Sequence, residues 1–170
     1  INVDEGNFSR SDVQQIKAIK RLDEVIFVLS GSKGIEYLDA FGTPVNKLNK
    51  SEVFEIVRSS SILEPIDLEE ITESSKGSEF RGRDLPLYKV TSLNDKDKKI
   101  NLYLNIFSGE ITAVRSLQWR IWDLMWGFHI MDWQTRDKIN NIFLKIFSIL
   151  ALVSSISGIM LFFRVDFNSK

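Results

Sequence analysis

Residues 146–163 (IFSILALVSSISGIMLFF) carry no charge, and this run constrains the chain more than any other feature. As a helix it would be about 27 Å long, close to the thickness of a bilayer's hydrocarbon core. The apolar residues before Lys145 extend it if that side chain snorkels toward headgroups, and Arg164 closes the far side. The run therefore predicts one transmembrane helix over 139–164, followed by a tail at 165–170. A buried core helix is the competing reading, but uncharged segments of this length more often span membranes. Within the span, Ser154, Ser155, Ser157 and Gly158 are small. Ser154 and Gly158 would let another helix approach closely, or they are ordinary spacing residues.

The remaining length suits one domain plus a connecting element. With 22 basic and 23 acidic side chains the net charge is −1, so no long-range field draws the chain to nucleic acid. The absence of cysteine excludes disulfides, thiolate metal sites and thiol nucleophiles. A first residue of Ile1 reads as a removed leader or a fragment.

Along the chain, Val13, Ile16 and Ile19 follow a capping Ser11 or Asp12 at helical spacing, predicting a helix over 11–22. The stretch 24–29 (EVIFVL), the turn 30–34 (SGSKG) and 35–41 (IEYLDAF) then read as a β-hairpin. Asn49 or Ser51 starts a helix through Arg58 with Val53, Ile56 and Val57 inside, and a weaker helix or irregular stretch is expected near 66–73. A polar loop over 74–84 precedes a second hairpin, 87–93 and 100–106. The hairpins end alike, in Tyr37-Leu38-Asp39-Ala40-Phe41-Gly42 and Tyr103-Leu104-Asn105-Ile106-Phe107-Ser108-Gly109, which hints at a duplicated helix-plus-hairpin unit.

All four tryptophans and the sole histidine follow in one register: Trp119, Trp122, Trp126, His129 and Trp133. At 100° per residue they fall within an arc of about 80°, one stripe of a helix expected over 115–138. Arg120 and Asp123 stand three apart on it and can pair. Three readings of the stripe stay open. It is an interfacial aromatic belt, a ridge that docks a partner's membrane helices, or the setting of His129 as an axial haem ligand, which would need a second ligand from another subunit.

No hydrolase or transferase constellation is visible, because the one imidazole lies in an apolar stripe beside the span. Gly31 and Gly34 read as positive-φ residues of a hairpin turn, and Glu69 and Glu70 as a solvated acidic pair. His129 with Asp132 gives two ligands, too few for a metal site. A non-enzymatic chain without a resident cofactor is expected, with haem as the alternative.

Several pieces in order resemble the PepSY domain with its associated transmembrane helix. They are Leu85-Pro86-Leu87-Tyr88-Lys89-Val90, the strand Leu102-Tyr103-Leu104-Asn105, the turn Ser108-Gly109-Glu110-Ile111, the segment 122–132 (WDLMWGFHIMD) and Gly158-Ile159-Met160-Leu161. The resemblance covers about residues 47–163. It departs at Asn105, where the family has an acidic residue, and at Ser108, where it has threonine. Larger relatives resembling ferric-siderophore reductases carry several membrane helices and histidines, so their reductase activity does not transfer.

The resemblance implies an α+β chain: an N-terminal helix and hairpin at 1–46 as a diverged repeat, a PepSY-like domain at 47–114, the tryptophan-rich helix and the membrane helix. It further implies an accessory or regulatory subunit of an inner-membrane, redox-linked complex, with the domain on the periplasmic side and other integral subunits and lipid as partners. Related domains also occur in peptidase propeptides, so peptidase inhibition or peptide binding through an edge of the second hairpin is an alternative. The basic residues Arg120, Arg136, Lys138 and Lys145 before the span outnumber Arg164 and Lys170 after it, a count that points to the opposite orientation. The family's orientation is preferred, because Asp123, Asp132 and Asp137 offset that count.

Overall fold

A computed structural model describes residues 12–32 and 34–168, with side chains described through Arg164. Residues 1–11, where the expected N-terminal unit begins, Lys33 and the last two residues of the tail lie outside the described residues. The chain is α+β, with two small antiparallel sheets, helices and one C-terminal apolar helix. It divides into two compact units. One holds both sheets, and the other holds Lys76–Ser78 with everything from Gln118 onward.

The first sheet is a meander of β1 (Val13–Arg21), β2 (Glu24–Gly31) and β3 (Gly34–Leu38) in that order. The hairpin expected at 24–41 is present as β2 and β3, but the helix expected over 11–22 is a strand. Ile16 pairs with Leu29 and Ile19 with Ile26, so the two isoleucines point to opposite faces of the sheet. Cross-strand pairing with β2 thus overrides a spacing that also fits a helix. The turn between β2 and β3 takes its positive φ at Gly34 (+130°), whereas Gly31 stays within the strand.

The second sheet is built from β4 (Glu64–Ile71), β5 (Leu87–Leu93), β6 (Lys99–Asn105) and β7 (Ile111–Arg115), side by side in chain order. The second hairpin is β5 and β6, as expected. The stretch near 66–73 is not helical: it is β4, which pairs along β5 and sets Glu69 against Lys89 at 2.9 Å. Glu70 in turn meets Lys47 at 2.5 Å, so the acidic pair forms exposed ion pairs from a strand.

Helix α1 (Lys50–Ser60) precedes this sheet. Asn49 accepts from the Glu52 amide while the Glu52 carboxylate accepts from the Asn49 amide, a reciprocal cap satisfying two donors the helix leaves open. Val53, Ile56 and Val57 share its inner face and pack on Val90, Leu102, Leu104 and Ile106. Within this core the Tyr88 hydroxyl donates to the Leu48 carbonyl at 2.9 Å. The other face of the sheet is covered by the segment after β4, where Phe80 and Leu85 pack on Leu87, Tyr103 and Ala113. Glu79 fastens that segment: its carboxylate accepts from Asn101 and the Tyr103 hydroxyl, and its carbonyl accepts from Arg115 Nε at 2.7 Å.

Asn105 organises the turn from β6 to β7. Its Oδ1 accepts from the amides of Phe107 and Ser108, and its carbonyl accepts from Gly109. Its Nδ2 donates to the Tyr37 hydroxyl at 2.8 Å, and the Tyr37 ring stacks on Phe107 with centroids 5.1 Å apart. Burial pushes the Tyr37 phenol up in pKa. The two similar hairpin ends therefore touch each other.

Gly109 sits at φ +71°, and a Cβ there would lie 2.5 Å from Ile56 Cδ1 and 3.1 Å from Leu48 Cδ1. Strain and overlap act together, so Gly109→Val is expected to destabilise the fold by about 1–3 kcal/mol. Gly158→Ala, whose Cβ meets nothing within 4 Å, serves as the comparison. Thermal unfolding of the detergent-solubilised full chain should show a lower midpoint for the first variant only. Equal midpoints would refute this account of the turn.

Candidate functional site

Helix α2 (Leu117–His129) carries Trp119, Trp122 and Trp126 and ends at His129. The five-residue stripe is therefore not one continuous helical feature, because Trp133 lies beyond the end. The helix stops by local geometry: the Met131 amide donates to the Phe128 carbonyl and the Asp132 amide to the Gly127 carbonyl, with Met131 left-handed at φ +55°. This bond pair closes a helix, commonly with glycine at the left-handed position. Methionine there hid the stop from sequence reading.

The aromatic residues split into two groups. Trp122 and Trp126 stack with centroids 6.0 Å apart and planes 8° apart, and the exposed His129 ring lies 5.8 Å from Trp126. Trp133 instead meets Phe128 edge-on at 6.3 Å and Phe143 at 5.8 Å. Trp119 is half-buried on the same helix.

Asp123 is fully buried, and Arg136 Nη1 donates to its Oδ2 at 2.5 Å. Sequence reading offered Arg120 for this carboxylate. A cation thirteen positions away, Arg136, reaches it because the chain turns back after α2. Gly127, one turn after Asp123, leaves room for this: a Cβ there would be 3.1 Å from Arg136 Cγ and 3.2 Å from the Asp132 carbonyl oxygen. Arg136 itself adopts φ +59°.

The connector after α2 is held by two further side chains. Asp132 accepts from the Thr135 hydroxyl and from the amides of Thr135, Asp137 and Lys138. These bonds, the hydroxyl's first, hold its carboxyl well below the usual carboxylate range. The carboxylate is thus occupied by the connector, which weakens the idea of a cation site shared with His129. Asn141 Oδ1 accepts from the Leu144 amide and caps the next helix, while its Nδ2 donates to the Ile130 carbonyl at 2.6 Å. One side chain so ties the end of α2 to the start of α3 (Ile142–Asn168).

Within α3, Ile142–Arg164 has a mean hydropathy of 2.3 and is long and apolar enough to cross a membrane. None of its most apolar stretch is buried. Ser154 and Gly158 lie exposed on it, and nothing approaches the Gly158 Cβ position. Ser148, Ser155 and Ser157 each donate back to a carbonyl four residues earlier, so their hydroxyls are satisfied within the helix.

Elsewhere, a cleft of about 490 Å³ opens beside α1, lined by Arg21, Ile56, Ser59, Ser60, Glu110 and their neighbours. Arg21, Ser59, Ser60 and Glu110 in this lining are engaged with neighbouring side chains or with the backbone. Glu110 pairs with Lys17 at 3.2 Å, Arg21 approaches Glu52 at 3.9 Å, and both serine hydroxyls donate to the Ile56 carbonyl. Among the described residues no group of three or more histidines and carboxylates could hold a metal ion. Comparisons with models of known families, with curated proteins and with solved structures find no match.

Removing the Arg136 guanidinium would take a direct charge partner from the buried Asp123 carboxylate, so Arg136→Ala is expected to cost about 3–5 kcal/mol. Replacing both partners by apolar residues, Asp123→Leu with Arg136→Met, should recover most of that loss. A double variant as unstable as Arg136→Ala in thermal unfolding would contradict the pairing.

Asp132 supplies a pH signature. Its pKa is lowered on folding, so its contribution is present above the unfolded value of 3.8 and lost as pH falls below it. Asp132→Asn should therefore be less stable than the wild type at pH 7. The gap between their unfolding midpoints should narrow below about pH 4. A gap that does not change with pH would rule out the ionised carboxylate as its cause.

Proposed function

We propose that this chain is a membrane-anchored, non-catalytic accessory or regulatory subunit of a bacterial inner-membrane redox complex, PepSY-like in its sheet-bearing part, which stands on the periplasmic side. The carrying observation is α3, whose most apolar stretch within Ile142–Arg164 is uncovered among the described residues. Such a surface needs lipid or other membrane helices around it. The accessory character rests on the family resemblance and on a cleft in which Arg21, Ser59, Ser60 and Glu110 are already paired.

The surface offered to other subunits is the ladder of Trp122, Trp126 and His129, with Trp119 on the same helix and Ser154 and Gly158 on α3. Trp133, which joins Phe128 and Phe143, drops out of it. An axial haem role for His129 is the second reading, supported by the exposure of its ring. Peptide capture by an edge of the second hairpin loses support, because β5 and β6 are the two inner strands of their sheet.

The full chain should stay with membranes through alkaline carbonate extraction and bring integral membrane subunits with it on affinity purification. His129→Ala should remain membrane-bound and recover less partner, since removing one packed ring from a contact commonly costs about 1–3 kcal/mol. Release by carbonate would refute the anchor. A Soret band present in the wild-type complex and lost in the variant would replace docking by the haem reading.

A further inference from the structure

Helix α2 is built the wrong way round for water. At 100° per residue, Ile121, Leu124, Met125 and Phe128 fall within an arc of about 100°, and each is between 43% and 53% exposed. The far side of the helix holds Asp123 and Gly127, both buried, with the Arg136 guanidinium bound to the carboxylate. In water this arrangement exposes apolar surface and desolvates an ion pair, and both are unfavourable. Against hydrocarbon the same arrangement is favoured, because apolar groups face the solvent and charges are paired inside.

We propose that α2 is an in-plane interfacial helix whose Ile121, Leu124, Met125 and Phe128 are immersed in lipid acyl chains; this rests on the reading of α3 as a membrane anchor. At 13 residues α2 is about 20 Å long, too short to span a bilayer but suited to lying in its surface. The flanks of the apolar arc carry residue types that favour the headgroup zone: Trp122 and His129 on one side, Arg120 on the other. Lipid is the chosen occupant because the face is continuous with α3. Phe128 meets Trp133, Trp133 meets Phe143 in the first turn of α3, and Asn141 ties the two helix ends together. Acyl chains that surround α3 reach the α2 face without a break.

The natural chain has no cysteine, so a nitroxide can be placed at one engineered site at a time. Ile121→Cys and Met125→Cys report the α2 face, Leu152→Cys reports α3, and Lys96→Cys in the exposed β5–β6 turn reports water. Each spin-labelled full chain is reconstituted alone in phosphatidylcholine vesicles, and its collision rates with oxygen and with a water-soluble nickel complex are compared. Labels at 121, 125 and 152 should collide with oxygen several-fold faster than with nickel, and the label at 96 the reverse. If 152 is lipid-exposed while 121 and 125 behave like 96, the interfacial helix is refuted and the anchor stands. Labels at 121 and 125 shielded from both reagents would show a second copy of the chain covering the face, which also overturns the proposal. A label at 152 that behaves like 96 removes the anchor and the inference together.

Discussion

The ion pair between Asp123 and Arg136 decides how the helical unit is built. A carboxylate with no exposed surface needs charged or hydrogen-bonding partners, and one of them, Arg136, lies beyond a helix stop and a turn. The stop at Met131, the left-handed backbone at Arg136 and the open space at Gly127 are the conditions for that contact. Together they turn the polar interior of the unit inward and leave aliphatic and aromatic side chains outside. Lipid tolerates this arrangement and water penalises it, so the proposed membrane reading of α2 rests on where the charges lie and that of α3 on hydropathy.

The sheet unit uses ordinary means. A capped helix covers one face of a four-stranded sheet, and a segment fastened by Glu79 covers the other. Asn105 then does in one side chain what an acidic residue at that position could do only in part. Its carbonyl oxygen accepts from the turn's amides, and its amide nitrogen donates to Tyr37, a donation a carboxylate could not make. Asn105 thus joins the first sheet to the second.

Elements with a dominant local signal were legible in the sequence. Both hairpins showed extended patterning around turn chemistry, α1 showed a cap followed by Val53, Ile56 and Val57, and α3 showed an uncharged run. The misread segments had weaker signals. β1 carries isoleucines whose spacing fits a helix, and only the register against β2 settles them on opposite faces. β4 contains acidic residues whose partners Lys47 and Lys89 are distant in sequence, and β7 is too short to stand out between a turn and a helix. At the candidate site, the regular tryptophan spacing ran through a helix end that no glycine or proline marked. The Asp123–Arg136 contact was hidden for the same reason, since the reversal that makes it begins at that unmarked end.

All four tryptophans fall in the helical unit, so the tryptophan emission of the unmodified chain, excited to the red of tyrosine absorption, reports on that unit alone. The most direct measurement is quenching of this emission in vesicles, by brominated acyl chains from within the bilayer and by iodide from the water. A helical unit embedded in lipid should be quenched strongly by the brominated lipid and weakly by iodide. Emission that iodide quenches as fully as it quenches free tryptophan, and that brominated lipid leaves unchanged, would contradict the membrane placement of the unit.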